Sequence, residues 1–291
     1  MTESRLALFL DRVRRSSLLR RLFEHRLFLT GLILFLTVLL MAVLAGALAP
    51  HLPNQNNFRY RLGEPNATHW LGTDNFGRDV LSRVIYGSQV SLRIAFMVVV
   101  MNAVFGTLIG ASAGYFRKLD NPIMRVMDGL MAFPAILLAI ALAATLGPSE
   151  FNAVLALTIA YTPRTARIVR ASVLVVREMD YVQAALASGA GHLRILFRHV
   201  LVNSMAPLIV QLTFIFALAV LAEAVLSFIG VGPPPPTPTW GNIIAEGRNY
   251  IREAPWISLY PGIAIAFTVL GLNLLGDGLR DVLDPRMKVE R

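Results

Sequence analysis

The residues able to do chemistry are few and mostly far apart. The chain has no cysteine and five histidines, His25, His51, His69, His192 and His199, scattered over a tail and loops. None has the His-Glu-x-x-His spacing that sets two imidazoles on one helix face toward a metal. Without cysteine there is no disulfide framework, thiolate metal site or thiol nucleophile. No Gly-x-x-x-x-Gly-Lys-Ser/Thr run exists to cradle nucleotide phosphates, and no Ser/His/Asp constellation suggests itself. Catalytic residues, metal ligands and a cofactor bound by this chain are therefore all expected to be none. What remains is Glu223, the one acid within an otherwise charge-free apolar run, and the amides Asn102 and Asn273 in two other runs. An ionisable group inside a membrane span faces a cavity or a partner, so Glu223 is a candidate for a translocation pathway. The alternative is a structural pair with a partner helix near the outer interface, and both readings stay open. Asn102 and Asn273 suit hydrogen bonds between helices, and Asp128 and Asp277, near inner helix ends, suit an interface.

One segment has the pattern of a docking element. After Glu178, the residues Ala184, Ala185 and Ala187 are strong helix formers, and Gly189 and Gly191 can stop a helix with positive φ. The pattern restarts at His192, with Leu193, Leu196, Phe197 and Val200 on an apolar stripe. This predicts helix, glycine turn, helix. A DNA-reading helix-turn-helix is excluded by membrane anchors close on either side, so no nucleic acid is expected as a partner. A plain solvated connector needs neither the alanines nor the glycines, whereas small side chains let another protein approach the backbone closely.

The elements that must hold these residues follow from composition. Of 291 residues, 55% are hydrophobic and 15% charged, against about 25% charged in an ordinary globular domain. The apolar content excludes disorder and, with the low charge, a water-facing surface of this size. A helix needs about 20 apolar residues to cross the hydrocarbon core. Four charge-free runs meet this, Leu27 to Ala49, Ile94 to Phe116, Gly129 to Ser149 and Ala254 to Gly276. A further span runs from Phe151 to about Val175, with Arg164, Arg167 and Arg170 on one broad face that can snorkel to the headgroups, and another from Met205 to Gly230. The expected fold is all-α and polytopic, with six transmembrane helices. No period-2 alternation supports a membrane barrel.

The net charge of +9 comes from 27 Lys+Arg against 18 Asp+Glu, and its distribution gives the topology. Most basic residues fall in the N-terminal tail, the Arg117–Arg125 turn, the Arg164–Arg198 stretch and the C-terminal tail. The other side holds Arg59, Arg61, Arg78, Arg83, Arg248 and Arg252. The positive-inside rule puts both termini in the cytoplasm. The domains are then a basic amphipathic tail (1–26), a first transmembrane helix (27–49), an extracytoplasmic loop (50–88), a five-helix core (89–280) and a cytoplasmic tail (281–291). The core includes a cytoplasmic coupling loop (176–202) and an outer Pro-rich loop (231–256). The tail reads as a helix lying on the inner leaflet or as a simple basic topogenic segment. Reading the first span as a cleaved signal peptide fails, because its apolar run exceeds the 7–15 residues of a signal core.

Two outer segments are too organised for mere connectors. The run from His69 to Asp79 is rich in turn formers and interfacial aromatics, as a packed cap over helix ends or a partner-docking surface. Four consecutive prolines, Pro233 to Pro236, predict an extended polyproline II spacer, followed by a short interfacial helix over Asn242 to Glu253. Pro134, Pro163, Pro207 and Pro261 fall in or beside spans, where each can kink its helix.

Gln183-Ala184-Ala185, Gly189 and Leu201 resemble the signature cytoplasmic loop of ABC importer permeases, in which Glu-Ala-Ala and a following glycine precede Leu-Pro. Here Gln183 stands for the usual Glu, Val202 for the usual Pro, and His199 for an apolar residue. The run Arg198-His199-Val200-Leu201 resembles the peptide-importer branch. So do Leu71-Gly72-Thr73-Asp74 with Gly77-Arg78-Asp79, and Glu223 to Gly230 followed by prolines and Trp240-Gly241. From about residue 20 to 287 the chain is similar to the C-type permease subunit of dipeptide, oligopeptide and nickel importers. The resemblance implies a type I ABC importer transmembrane fold in a bacterial inner membrane. It also implies a second homologous permease subunit, two cytoplasmic ATPase subunits holding ATP and magnesium, and an extracytoplasmic binding protein. Gln183 to Leu201, including Arg198 and His199, would couple to the ATPase. The implied cargo is a peptide, with nickel or another small solute as the alternative. An ion-coupled secondary transporter would call for more intramembrane carboxylates and an inverted repeat.

Overall fold

The computed structural model describes residues 17–283, all-helical apart from loops and one isolated β-bridge, Thr73 to Asp79. Residues 1–16 of the expected amphipathic tail and 284–291 of the C-terminal tail lie outside the described residues. The chain order is α1 (Ser17–Glu24), α2 (Arg26–Val43), α3 (Ala45–Leu48), α4 (Val80–Tyr115), α5 (Arg117–Met131), α6 (Ala135–Leu146) and α7 (Glu150–Val176). Then follow α8 (Asp180–Ala187), α9 (His192–Ile195), α10 (Leu201–Asn203), α11 (Met205–Phe228), α12 (Trp240–Gly247) and α13 (Trp256–Leu283).

Four of these, α2, α4, α11 and α13, are each long and apolar enough to cross a membrane, and a bent pair, α5 with α6, makes a fifth. The fourth expected span, Phe151 to about Val175, falls in α7, a 27-residue helix. Its Arg164, Arg167 and Arg170 keep it from meeting the same apolar measure, although it packs along α4. The third expected span, Gly129 to Ser149, needs correction. Its first residues belong to amphipathic α5, the chain turns by 87° between Met131 and Ala135, and α6 has only 12 residues. Pro134 explains the break, because its ring disfavours helical backbone at Phe133 before it. Pro163 and Pro261 lie inside uninterrupted helices and do not break them. The outer loop also ends earlier than residue 88, since α4 starts at Val80, where the Asp79 carboxylate caps the helix by accepting from Ser82 N. A side-chain acceptor there satisfies one of the free amides of the first turn.

The core divides along the bundle. A large apolar cluster fills the bundle from the end that carries the 50–79 loop, with Val84, Ile94 and Val98 of α4, Leu157 of α7, Ile215 and Leu226 of α11, Trp240 and Ile243 of α12 and Ile257 of α13. A smaller cluster at the inner end joins Ala111, Val169, Val173, Val182, Ile195, Val200 and Leu208. What binds α4 to α7 is a stripe of small residues. A Cβ built on Gly110 would lie 2.4 Å from the Ala166 carbonyl oxygen, and one on Gly114 would lie 2.8 Å from a Val173 methyl. Such spacing at every fourth residue lets helix backbones touch in a membrane, where there is no hydrophobic drive between helices. Ion pairs hold α7 to two neighbours. Arg93 Nη2 of α4 donates to Glu150 Oε2 of α7 at 2.7 Å, and Arg170 Nη2 of α7 donates to Asp120 Oδ2 of α5 at 2.6 Å.

The α4–α7 contact generates a test. Gly110→Val should destabilise the chain by about 1–3 kcal/mol through overpacking, read as a lowered thermal midpoint in detergent. Gly129→Ala, where nothing lies within 4 Å of the new methyl, should leave that midpoint unchanged or slightly raised.

Candidate functional site

The loop between α7 and α11 is a built element. α8 ends in a Schellman turn: Gly189, at φ +79°, follows Ser188, Ala190 N donates to Ala185 O at 3.1 Å, and Gly189 N donates to Leu186 O at 3.0 Å. A left-handed residue is what that motif requires, and glycine carries no Cβ to oppose it. Gly191 then serves as the N-cap of α9, and the helix continues through a π turn, Leu196–Val200, into α10. The expected helix, glycine turn, helix is therefore present.

The loop is fastened to the spans on one side and bare on the other. Val182, Ile195, Leu196 and Val200 are buried against Val169 and Val173 of α7 and Leu208 of α11. The expected apolar stripe divides: Leu196 and Val200 turn inward, while Leu193 and Phe197 stand 64% and 54% exposed. Tyr181, Gln183, Ala184 and Arg198 are also exposed, Ala185, His199 and Leu201 are half-buried, and Val202 points to the exterior. The Gln183 side chain has a local role. Its Nε2 donates to the Arg177 carbonyl at 2.9 Å, closing the turn between α7 and α8, and a carboxylate there would have no proton to donate. Arg177 Nη1 in turn donates to the Gly114 carbonyl at 2.7 Å, and Tyr115 OH meets His192 Nδ1 at 3.1 Å. The loop, α7 and the inner end of α4 thus form one unit.

The intramembrane candidates are not brought together. Asn102 is buried in α4, and its Nδ2 donates to the Val98 carbonyl of its own helix at 3.0 Å. Asn273 sits half-buried on α13. Glu223 is fully buried within this one chain, where its Oε1 accepts from Ser227 Oγ at 2.6 Å and the carboxylate faces the hydroxyls of Ser91 and Thr239. It lies beneath the N-terminus of α12, which Thr239 caps through Asn242 N at 3.1 Å.

The outer segments are corrected most. The prolines do not run as an extended spacer: Thr237 N donates to Pro234 O at 3.3 Å to close a turn, and Pro235–Pro236 is cis. The following helix runs Trp240–Gly247, short of the expected Asn242 to Glu253, and its first turn packs inward. Trp240, Gly241, Asn242 and Ile243 are buried, and Trp240 Nε1 donates to the Val84 carbonyl at 3.0 Å. The loop at 69–79 is a packed cap centred on charges. Asp74 Oδ2 accepts from Arg78 Nε at 2.6 Å and Arg83 Nη1 at 3.1 Å, Arg83 Nη2 lies 3.1 Å from Glu246 Oε2, and Arg78 also pairs with Glu246. Asp74, Arg78 and Arg83 are buried. Burial pushes the Glu246 carboxyl above the usual carboxylate range, with the Arg78 guanidinium opposing it. This four-residue network was invisible as such in the sequence, where Arg83 counted only as a loop charge. The spacing of Asp74 and Arg78 was its one local signal.

Known proteins bear on this geometry. Residues 103–289 match the family model of the binding-protein-dependent transport system inner membrane component, and residues 15–66 match that of the N-terminal transmembrane domain of oligopeptide transport permease C. A putative peptide transport system permease protein of Brucella abortus is 57% identical over 93% of this chain and 92% of its own length. The dipeptide transport system permease protein DppC of Alkalihalophilus pseudofirmus is 44% identical, over 92% of this chain and 89% of its own. A probable D,D-dipeptide transport system permease protein of Escherichia coli is 43% identical, over 88% and 87%. The fold is similar to a chain of the MetNI methionine ABC transporter in an inward-facing conformation. That match has a TM-score of 0.58 and 18% identity, covering 70% of this chain and 98% of that one. It makes the architecture that of a type I ABC importer permease.

The charged cap is open to measurement. Arg83→Met leaves Asp74 and Glu246 with one guanidinium between them, and removing one partner of a buried pair costs about 3–5 kcal/mol. The expected result is a clearly lowered thermal midpoint in detergent together with faster proteolysis between residues 50 and 79. An unchanged midpoint would mean the network carries no stability.

Proposed function

The chain belongs to the binding-protein-dependent transport system inner-membrane components, and from that premise we propose that it forms half of the translocation pathway of an ATP-driven importer of peptides. It is a multi-pass membrane subunit and a transporter component, not an enzyme. The observation that carries the mechanism is the inner loop, a rigid element with Tyr181, Leu193 and Phe197 exposed and its opposite face locked to α7 and α11. Exposed apolar side chains on a rigid support mark a protein contact, and small Ala184 beside them allows close approach. The partner on that face is a cytoplasmic ATPase subunit. Two such subunits hold ATP and magnesium, which this chain has no phosphate loop to bind, and a second homologous permease subunit completes the pathway. A binding protein on the other side delivers the cargo to the cap. Both termini are cytoplasmic in a bacterial inner membrane, and the distribution of basic residues supports that orientation.

The mechanism is alternating access. When the ATPases close on ATP, the loop moves with them as a rigid body, because its buried face cannot slide on α7 without opening the inner cluster. Interfaces and packed cores have discrete arrangements and do not deform continuously, so the displacement reaches the spans as a rocking of the bundle. The peptide cargo is inferred from the names of the relatives, which are peptide or dipeptide permeases.

Two experiments test this reading. Vesicles carrying the assembled complex should take up peptide only when ATP is enclosed on the ATPase side; uptake that follows a proton or sodium gradient without ATP would refute it. Leu193→Asp with Phe197→Asp, or Gly189→Arg alone, should leave membrane insertion intact and cut transport by at least about tenfold, about 1.4 kcal/mol of coupling. Normal uptake by these variants would remove the loop from the coupling path.

A further inference from the structure

Two of the five histidines that look scattered in the sequence converge at one place. His51, from the connector after α3, and His69, from the cap, stack their rings with centroids 4.8 Å apart. Asp79, the residue that caps α4, lies against both: His69 Nδ1 is 3.0 Å from Asp79 Oδ1, and His51 Nδ1 is 3.8 Å from Asp79 Oδ2. One ligand atom from each of the three lies within 4.8 Å of the others. His69 and Asp79 are buried. His51 Nδ1 is also shielded from solvent and has no hydrogen-bond partner among the described residues.

We propose that His51, His69 and Asp79 form a binding site for a divalent cation of the zinc class on the outer face of the subunit. The argument is geometric and chemical. Ligand atoms about 2.0–2.2 Å from a tetrahedral zinc are spaced about 3.3 Å apart; His69 Nδ1 lies 3.0 Å from one Asp79 oxygen and His51 Nδ1 3.8 Å from the other, and with all three ligand atoms within 4.8 Å of one another a small inward shift of the half-buried His51 ring completes the set. Two imidazoles and one carboxylate select zinc, and similar borderline ions, over magnesium or calcium, which take oxygen ligands. The carboxylate is oriented from behind: Asp79 Oδ2 accepts from Ser82 N at 2.8 Å and from Ser82 Oγ at 2.7 Å, while the His51 amide donates to Ser82 Oγ at 3.0 Å. Hydrogen bonds of this kind fix a ligating group and raise metal affinity. Three protein ligands leave a fourth position for water or for a group from a docked partner. The ion would join the start, the middle and the end of the outer loop and so clamp the cap onto α4.

Zinc titration of the full-length chain, purified in detergent within its transporter complex after chelation, tests the site by calorimetry and by thermal midpoint. The expected result is one saturable site that raises the midpoint. His51→Ala should weaken zinc binding by at least about a hundredfold, an extrapolation from the effects of neighbouring-shell changes. Its midpoint in chelator should match that of the parent, because the hydrogen bond of His69 to Asp79 is untouched. Cobalt added in place of zinc should give the visible bands of a tetrahedral site in the parent and not in His51→Ala. No saturable zinc binding, or equal binding and equal cobalt spectra in His51→Ala, would overturn the proposal, the latter by placing the ion elsewhere.

Discussion

The close approach of α4 and α7 is the constraint on which the molecule depends. Gly106, Gly110 and Gly114 bring the two backbones nearer than any side chain would allow, and in lipid such packing replaces the hydrophobic drive that joins helices in water. Both ends of the bundle hang from this pair. One end of α4 carries the charged cap through Asp79 and Arg83, and the far end of α7 runs directly into the α8–α9 loop. Because Arg177 donates to the Gly114 carbonyl, even the last glycine of the stripe is tied to the turn that begins the loop.

The cap solves a different problem. Burying Arg78 and Arg83 is costly, since a charge taken out of water is seldom fully repaid by its partner. Here two carboxylates, Asp74 and Glu246, share two guanidiniums, so no ion is left alone. The arrangement ties a loop near the start of the chain to a helix between its last two spans, across a sequence separation of 168 residues. Apolar residues could fill the same space, but they would not fix which part of α12 meets which part of the loop. Trp240 and Asn242 complete that registration, the first through Val84 and the second by donating to the Pro233 carbonyl at 2.9 Å.

The sequence made some of this legible and hid the rest for physical reasons. Hydropathy located α2, α4, α11 and α13, and the alanine and glycine spacing located the helix, glycine turn and helix after α7, because those signals are local. The bend before α6 was hidden because α5 and α6 form one low-charge stretch from Gly129 onward, and only Pro134 marked it. The prolines at 233–236 were read from backbone stiffness alone, which says nothing of a turn closed by a neighbour's carbonyl. Glu223 drew notice as an ionisable group in a span, yet its surroundings come from three separate elements, Ser91, Ser227 and Thr239. His51 and His69 looked unrelated for the same reason: a distance across a folded loop has no periodicity to betray it.

The bent pair has a further consequence for the lipid around the protein. With 12 residues, α6 is about 18 Å long at 1.5 Å per residue, well short of a hydrocarbon layer about 30 Å thick. Helices cope with such mismatch by thinning the bilayer locally or by finding protein instead of lipid as a neighbour. Phe133 and Leu137 stand largely exposed here, whereas Ala139 and Ala143 are buried against the bundle. On this side of the subunit one of those two remedies must therefore apply. Its short side is where membrane thickness bears on assembly, and a second protein there would relieve the lipid of the deformation.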